Sequence, residues 1–243
     1  MPRAGGRTRP PARGVVAARP GPAPPGRCRT AAGSRPVSYR CRTVDAVADP
    51  IEDETFEDDD WYGEEIVDRA YARCRFLRVD LSEAFSRNAT FTDCTFGNVR
   101  FNASRHVDSA FLRCTFNRCN LFEAEFTGCK LTGGTFTDCD LRPLRVTGGD
   151  WSFVSLVRAD LRGVTIREAR MREVDLSQAN CAEATLSGVD LSGATLDGAV
   201  LTGCDLRGSD LTALDPTTTA VRGARIDADQ AVVIAQAIGF TIG

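Results

Sequence analysis

Ten cysteines and a single histidine are the residues of this 243-residue chain whose types most readily support chemistry. Cysteines can form disulfides, bind zinc or act as nucleophiles, and their spacing distinguishes these roles. No Cys-x-x-Cys pair occurs, and seven cysteines are separated by multiples of five residues: Cys74, Cys94, Cys114, Cys119, Cys129, Cys139 and Cys204. This spacing predicts small buried residues of a repeating structure rather than redox or metal chemistry. We expect no metal and no cofactor.

Ser86 and His106 both interrupt an otherwise apolar series, and the spacing between them equals that between Cys74 and Cys94. A lone histidine excludes a metal site shared by two histidines, and no familiar Ser-His or Cys-His catalytic pair is indicated. We expect a local hydrogen bond or a hydrated notch, with Phe85 able to turn inward and fill space; a ligand site is the alternative. The carboxylates are scattered, without a pair suited to acid–base catalysis. The sequence therefore predicts a protein that is not an enzyme.

A period of five residues organises most of the chain. Of the 32 positions taken at every fifth residue from Tyr71 to Ile226, 21 are Phe or Leu, and the residue two places earlier is nearly always small. Five fits neither the helical period of 3.6 nor the strand period of 2.0, so the chain must turn a corner every five residues. Four such sides then close a square coil, which is the repeating unit of the predicted structure.

Residues one coil apart should stack on one side of such a rod at about the 4.8 Å strand spacing. One ladder of this kind is Phe76, Phe96, Phe116, Phe136, Leu156, Leu176 and Leu196. We predict an all-β solenoid, a right-handed quadrilateral β-helix of about eight coils over residues 61–226. Because its own side chains fill so narrow a coil, we expect no pocket of the roughly 300 Å³ that small-molecule sites need.

This pattern, from Cys74-Arg75-Phe76 through Cys204-Asp205-Leu206, resembles the pentapeptide-repeat family. More narrowly, the segment 139–144 (Cys-Asp-Leu-Arg-Pro-Leu), the uninterrupted register and the segment 223–232 resemble the mycobacterial fluoroquinolone-resistance pentapeptide proteins. The resemblance implies a non-catalytic double-stranded DNA mimic that binds DNA gyrase and inhibits or protects it, with a role in quinolone or toxin resistance. It also implies a homodimer, and in actinobacteria often a small GTPase partner.

The ends of the chain differ from the repeat. Residues 1–43 contain ten Arg, eight Pro and no acid, which predicts a disordered tail able to hold nucleic acid or anionic lipid, a transit peptide, or a start assigned too far upstream. Residues 44–60 contain nine acids and no base, which predicts an acidic linker. No apolar run approaches the length of a bilayer span, so we expect a soluble, cytoplasmic protein.

Residues 227–243 should form a cap and dimerisation segment. Asp227 and Gln230 match a capping box, and Gly239 suits the exit of a helix over 228–238. One apolar stripe of this helix can cover the last coil, while the second needs another cover, either a second subunit or residues 216–219 of the same chain. We predict dimerisation through Val232, Val233, Ile234, Ile238 and Phe240.

Charge separates the two halves of the rod, because residues 173–229 hold ten acids against three bases. Two chains joined at that end would concentrate a charge similar to that of the same length of B-DNA, although no side is strongly acidic over the whole rod. We expect the partner-binding acids to be Asp175, Glu183, Asp190, Asp197, Asp205, Asp210 and Asp215. The alternatives are that these acids serve solubility or the corners, and that the protein is a scaffold for an unrelated partner.

Overall fold

A computed structural model describes residues 49–242; the predictions for residues 1–43 and 44–48 lie outside this part of the chain. From Ile51 to Ile226 the chain winds into a parallel β-solenoid, in which paired residues lie 20 positions apart, one coil along the rod. Its short strands are β1 (Ile51–Glu52), β2 (Thr55–Glu57), β3 (Glu65–Val67), β4 (Ala70–Ala72), β5 (Arg75–Leu77), β6 (Phe85–Arg87), β7 (Thr90–Thr92), β8 (Thr95–Gly97), β9 (Arg105–Val107), β10 (Ala110–Leu112), β11 (Thr115–Asn117), β12 (Glu125–Thr127), β13 (Thr135–Thr137), β14 (Arg145–Thr147), β15 (Thr165–Arg167) and β16 (Thr185–Ser187).

Each coil has four sides, which we number in chain order. The first side contains β1, β4, β7 and β10, the second β2, β5, β8, β11 and β13, and the fourth β3, β6, β9, β12, β14, β15 and β16. The third side is joined only by single-residue bridges, beginning with Asp60 and Asp80. Bridges from Thr185 to Asp205 and from Asp205 to Arg225 lengthen the fourth side to nine levels, so the rod holds eight to nine coils.

The core is the stack of inward residues predicted from the period of five. All seven members of the predicted ladder are buried, from Phe76 to Leu196. The ladder begins one coil earlier, since Phe56 lies on Phe76, and ring centroids from Phe56 to Phe136 are 4.5–4.9 Å apart along the rod. Like side chains stacked at this spacing fill the rod without a lumen, so stability comes mainly from contact between neighbouring coils.

The corners rest on a second periodic feature that the sequence analysis did not identify. From Asp53 to Gly208 every fifth residue has a positive φ, with Pro143 as the one exception. These residues take the left-handed conformation, which Gly, Asn and Asp adopt most easily, and this explains why polar residues and Gly occupy the corners. The corner positions are hard to identify from the sequence, because Arg and Glu occupy them as well as Gly, Asn and Asp.

The solenoid begins ten residues earlier than predicted. Residues 51–60, assigned to the acidic linker, form part of the first coil, because Ile51 and Phe56 point inward and pair with Tyr71 and Phe76. The acids of this segment are corner and outward residues. Their density made the segment resemble a solvated linker, although its two apolar residues keep the period of five.

The helix α1 (Ala228–Ala237) follows the last coil, one residue shorter than predicted. The capping box is present: Asp227 accepts from the Gln230 N–H, and the Gln230 side chain accepts from the Asp227 N–H. Gly239 leaves the helix with a φ of 96°. No helix among residues 49–242 combines the length and the apolar character needed to cross a bilayer.

Candidate functional site

The Ser86–His106 pair is a buried hydrogen-bonded cluster. Ser86 Oγ lies 2.7 Å from His106 Nδ1, and Ser104 Oγ lies 3.1 Å from Nε2. Because Ser104 donates its proton to the Phe101 carbonyl, it accepts from Nε2–H, and Nδ1 then accepts from Ser86. Burial lowers the pKa of His106 to about 3. The predicted hydrogen bond is therefore present, whereas Phe85 does not turn inward, since it lies partly exposed beneath Arg87.

The cysteines are predominantly core residues. Of the eight in residues 49–242, all are free thiols and only Cys139 is more than slightly exposed. Burial raises the pKa of Cys129 to about 11 and that of Cys204 to about 12, so these thiols remain protonated and unreactive at neutral pH. No group of His, Cys, Asp and Glu side chains in this part of the chain is arranged to hold a metal ion.

Acids in the N-terminal half are paired with arginines of the next coil. Asp53 lies 2.8 Å from Arg73 and Asp58 lies 2.7 Å from Arg78, both across one coil. The same step of one coil joins Asp93 to Arg113 at 2.7 Å. These pairs are solvent-exposed, so each contributes little to stability. Other acids of this half, among them Asp59, Glu64 and Glu65, form no ion pair within residues 49–242.

Two of the seven predicted partner-binding acids are already neutralised. Asp205 is buried, lies 2.7 Å from Arg207 and 3.0 Å from Arg225, and has its pKa lowered to about 2, chiefly by the hydrogen bond from Arg207. Asp190 lies 2.7 Å from Arg172. The prediction of Asp205 as a surface acid is therefore wrong. Arg207 lies two residues from Asp205 in the chain, and Arg225 lies one coil later. A count of charges along the chain shows neither pairing.

Most acids of this set also shape the corners, which was one of the alternatives weighed from the sequence. Asp175, Asp210 and Asp215 each accept a hydrogen bond from the backbone N–H two residues later, at 2.8–2.9 Å. Asp197 and Glu183 accept none. Since these bonds use one carboxylate oxygen, the second oxygen remains available to a cationic partner.

Three free acids of the C-terminal half share its second side. The second side contains Asp175, Asp197 and Asp215 and has no Arg or Lys after Arg158. None of the three acids forms an ion pair within residues 49–242. On the other sides of this half, Asp190 and Asp205 are paired with arginines, whereas Glu183 and Asp210 form no ion pair within residues 49–242. We call Asp175, Asp197 and Asp215 the acidic strip. Averaging charge over the whole rod hid it, because the N-terminal half of the same side carries arginines.

The residues predicted to dimerise divide between two environments. Val232, Ile238 and Phe240 are exposed, with 39%, 50% and 64% of their surface accessible. Ile234 instead packs against the core of its own chain, and Val233 is half-buried. Ile234 therefore belongs to the capping face of α1, opposite to its predicted assignment. The exposed apolar set is extended by Ile242, at 49%.

Comparison with known proteins identifies the repeat. The family model described as pentapeptide repeats matches residues 109–142, 145–178 and 175–212. The pentapeptide repeat protein MfpA of Mycobacterium tuberculosis is 37% identical over 100 residues, which cover 41% of this chain and 55% of the relative. The match thus spans little more than half the length of that protein.

Solved structures share the fold. A trypsin-treated variant of QnrB1, described as a plasmid-mediated fluoroquinolone resistance protein, has a TM-score of 0.64 at 22% identity, covering 80% of this chain and 98% of that one. HetL, a pentapeptide repeat protein involved in heterocyst differentiation regulation from the cyanobacterium Nostoc, has a TM-score of 0.52 at 18% identity, covering 72% and 86%. At these identities the likeness concerns the fold alone.

Proposed function

The chain belongs to the pentapeptide-repeat family, and from that premise we propose that it is a non-catalytic, cytoplasmic DNA mimic that binds DNA gyrase and modulates it. The observation that carries the proposal is the acidic strip of Asp175, Asp197 and Asp215, which no base interrupts. A regular row of carboxylates on a rigid rod presents to a protein surface the kind of charge that a duplex presents. A role in resistance to quinolones accords with QnrB1 being a fluoroquinolone resistance protein.

The exposed apolar residues that follow the last coil support a dimer joined end to end. Val232, Ile238, Phe240 and Ile242 are each exposed in the single chain, and Ile238 lines the same surface depression as Asp215 of the acidic strip. A twofold contact there would place two strips in continuation and double the length of acidic surface. The resemblance to the family also implies a small GTPase as a further partner, and we include it in the proposal.

The test is a supercoiling assay with purified gyrase and the full-length chain, with and without a quinolone, at two salt concentrations. We expect inhibition or protection at micromolar protein, weakened by salt because the contacts are ionic. No effect on a matched gyrase at either salt concentration would contradict the proposal and favour a scaffold that binds another protein.

A further inference from the structure

The third side of the solenoid has one break in its backbone hydrogen bonding, between the coils at residues 138–143 and 157–163. Bridges join every level of this side from Asp60 to Asp140 and again from Asp160 onward, but none joins Asp140 to Asp160. The N–H groups of Asp138, Leu141 and Asp160 make no hydrogen bond within residues 49–242, whereas the corresponding groups of the other coils on this side bond a neighbouring coil. We call this break the seam.

Pro143 explains the seam. It occupies the corner where Glu123 and Gly163 have φ values of 58° and 68°. The proline ring holds φ near −65°, so Pro143 cannot take the left-handed corner conformation, and it has no N–H to donate to the coil beyond. Ladders on the second and fourth sides continue past this level, through Thr135–Ser155 and Arg145–Thr165, so the coils separate locally and the rod stays intact.

The seam opens a cleft of about 380 Å³ that reaches apolar core atoms. Its lining is mixed: apolar atoms of Phe136, Leu141, Val157 and Ala159 lie beside the thiol-bearing Cys139 and the charged Asp138, Arg158 and Asp160. Asp160 is paired with Arg142 and Arg162, and Arg158 donates to Gln178, which leaves Asp138 as the unpaired charge of the lining within residues 49–242. The expectation that the rod has no pocket of this size is therefore wrong. At this level the cause is Pro143, and surface depressions of comparable volume also lie at the first coils and beside α1. Unpaired backbone donors and acceptors rim the opening, since the bonds missing from the seam leave both partners free.

Phe153 makes the same region unusual on its outer surface. It is the one aromatic residue among the left-handed corners, with a φ of 61°, and 55% of it is exposed. Val157, which lines the cleft, is 39% exposed. A bulky side chain in a left-handed conformation is unfavourable, and unfavourable conformations that persist concentrate at functional sites. Phe153 precedes Ser155 and Val157 of the cleft lining by two and four residues in the chain, and exposed aromatic residues are typical interface anchors.

We propose that the seam and Phe153 form a docking site for a basic segment of a partner protein that inserts an apolar side chain into the cleft. This inference rests on the proposed function, and it identifies where on the rod a partner such as gyrase makes contact. Charge complementarity identifies the occupant: Ser155 lines the cleft and bridges to Asp175, so the acidic strip starts one coil away on the same side. Arginines flanking the inserted side chain would lie along that strip.

The first experiment needs no gyrase. The full-length ¹⁵N-labelled protein is titrated with the blocked peptide Arg-Leu-Arg-Arg and with its Arg-Gly-Arg-Arg counterpart, and amide shifts are followed by NMR. We expect saturable shifts at Asp138, Leu141 and Asp160, with at least tenfold weaker binding of the glycine peptide. Equal, diffuse shifts along the acidic residues with both peptides would overturn the docking site, as would no shifts at all.

The second experiment compares variants in the gyrase supercoiling assay. Phe153→Gly relieves the strained corner, so its melting temperature should not fall, while its half-maximal inhibitory concentration should rise at least tenfold; Val157→Ser should act in the same direction. Tyr62→Ser, at an exposed aromatic residue in the first coil, is the control and should leave inhibition unchanged. If the wild type inhibits gyrase and Phe153→Gly inhibits it equally well, the seam is not the gyrase contact and the proposal is overturned. If wild type itself is inert on gyrase, the proposed function fails while the peptide titration still decides the docking site.

Discussion

Ser86 and His106 stand on adjacent coils with 2.7 Å between Oγ and Nδ1, in a ladder whose next members are Ile66 on one side and Phe126 on the other. Among residues 49–242, no charged side chain takes part in their hydrogen-bonded cluster, whose other members are Ser104 and Ser109. The imidazole is therefore held neutral in the core of the rod, and its protonation would place an uncompensated charge there.

The first prediction concerns acid stability. The pKa of His106 is lowered to about 3 in the folded protein, against about 6.5 when unfolded, so the unfolded state binds the extra proton as pH falls below 6.5. The free energy of unfolding should be unaffected by this group above pH 6.5 and should fall by about 1.4 kcal/mol per pH unit below it, until roughly pH 3.

The measurement is urea unfolding of wild type and of the Ser86→Ala, His106→Phe double variant at pH 7.5, 6 and 4.5. Carboxylates that lose their partners in acid destabilise both proteins alike. The wild type should therefore lose about 2 to 3 kcal/mol more than the variant over this range. Parallel losses in the two proteins would show that His106 titrates normally.

The second prediction compares two neighbouring glycines. A Cβ on Gly149 would overlap the backbone of Cys129, whereas a Cβ on Gly148 would meet nothing within 4 Å; their φ values are 86° and 65°. Gly148→Ala should cost about 1 kcal/mol, for the left-handed conformation alone. Gly149→Ala should cost at least about 2 kcal/mol more, because two coils must separate. Thermal unfolding of both variants provides the comparison, and equal melting temperatures would refute this account of the close contact.

The third prediction concerns the acidic strip. Replacement of Asp175, Asp197 and Asp215 by Asn removes three charges and, at Asp175 and Asp215, keeps a carbonyl oxygen that can bond the corner backbone. Inhibition of gyrase should weaken about tenfold, and its dependence on salt should become shallower. The matched control removes three unpaired acids at the other end of the rod, by Asp59→Asn, Glu64→Gln and Glu65→Gln. Equal weakening by both triple variants would mean that net charge matters rather than the strip.

The fourth prediction concerns the attachment of α1. Gln230 is buried, and its Nε2 donates to the carbonyls of Leu206 and Ser209 at 2.7 and 2.6 Å. Gln230→Ala should destabilise the cap by roughly 1–3 kcal/mol, because both carbonyls lose a buried donor. Hydrogen exchange of the α1 amides should then accelerate without a matching change in the first coils. Gln236→Ala, on the exposed face of the same helix, should exchange like wild type.

The fifth prediction concerns assembly. Ile238→Ser with Phe240→Ser should convert the proposed dimer into monomers in sedimentation velocity at micromolar concentration, because the apolar group it removes is exposed in the single chain. Phe122→Ser removes an exposed aromatic elsewhere and should leave the sedimentation coefficient unchanged. A wild-type chain that sediments as a monomer would contradict the dimer directly.

The core could be predicted closely from the sequence, because its inward residues recur every five residues, a period that neither an α-helix nor a β-strand has. Phe76 and Leu196 lie far apart in the chain, yet both were assigned to one ladder by counting alone. The corners, the start of the rod and the state of the acids were harder to predict. Ile51 and Phe56 stand among too many acids to reveal a coil, and the pairing of Asp205 depends on neighbours that only the winding brings together.

The cause of the seam is present in the sequence, because Pro143 occupies a position of the repeat at which the other residues adopt a positive φ. That rule became visible only with the dihedral angles, because the corner positions mix Asp, Arg, Glu and Gly. Sequence could not show that the second and fourth sides stay closed at this level. Whether a proline opens a cleft or ends the rod depends on the ladders beside it.

The polar layer formed by Ser86 and His106 also fixes how the chain is wound. Successive coils are so alike that a slip of one whole coil would keep most Phe and Leu residues in apolar surroundings. Such a slip would set His106 against Ile66 and leave Nδ1 of the imidazole and the Ser86 hydroxyl buried without each other, while Ser104 would move with His106 and stay bonded to Nε2. One polar pair in a uniform apolar stack therefore penalises every misthreaded winding, as a single buried asparagine does in a coiled coil.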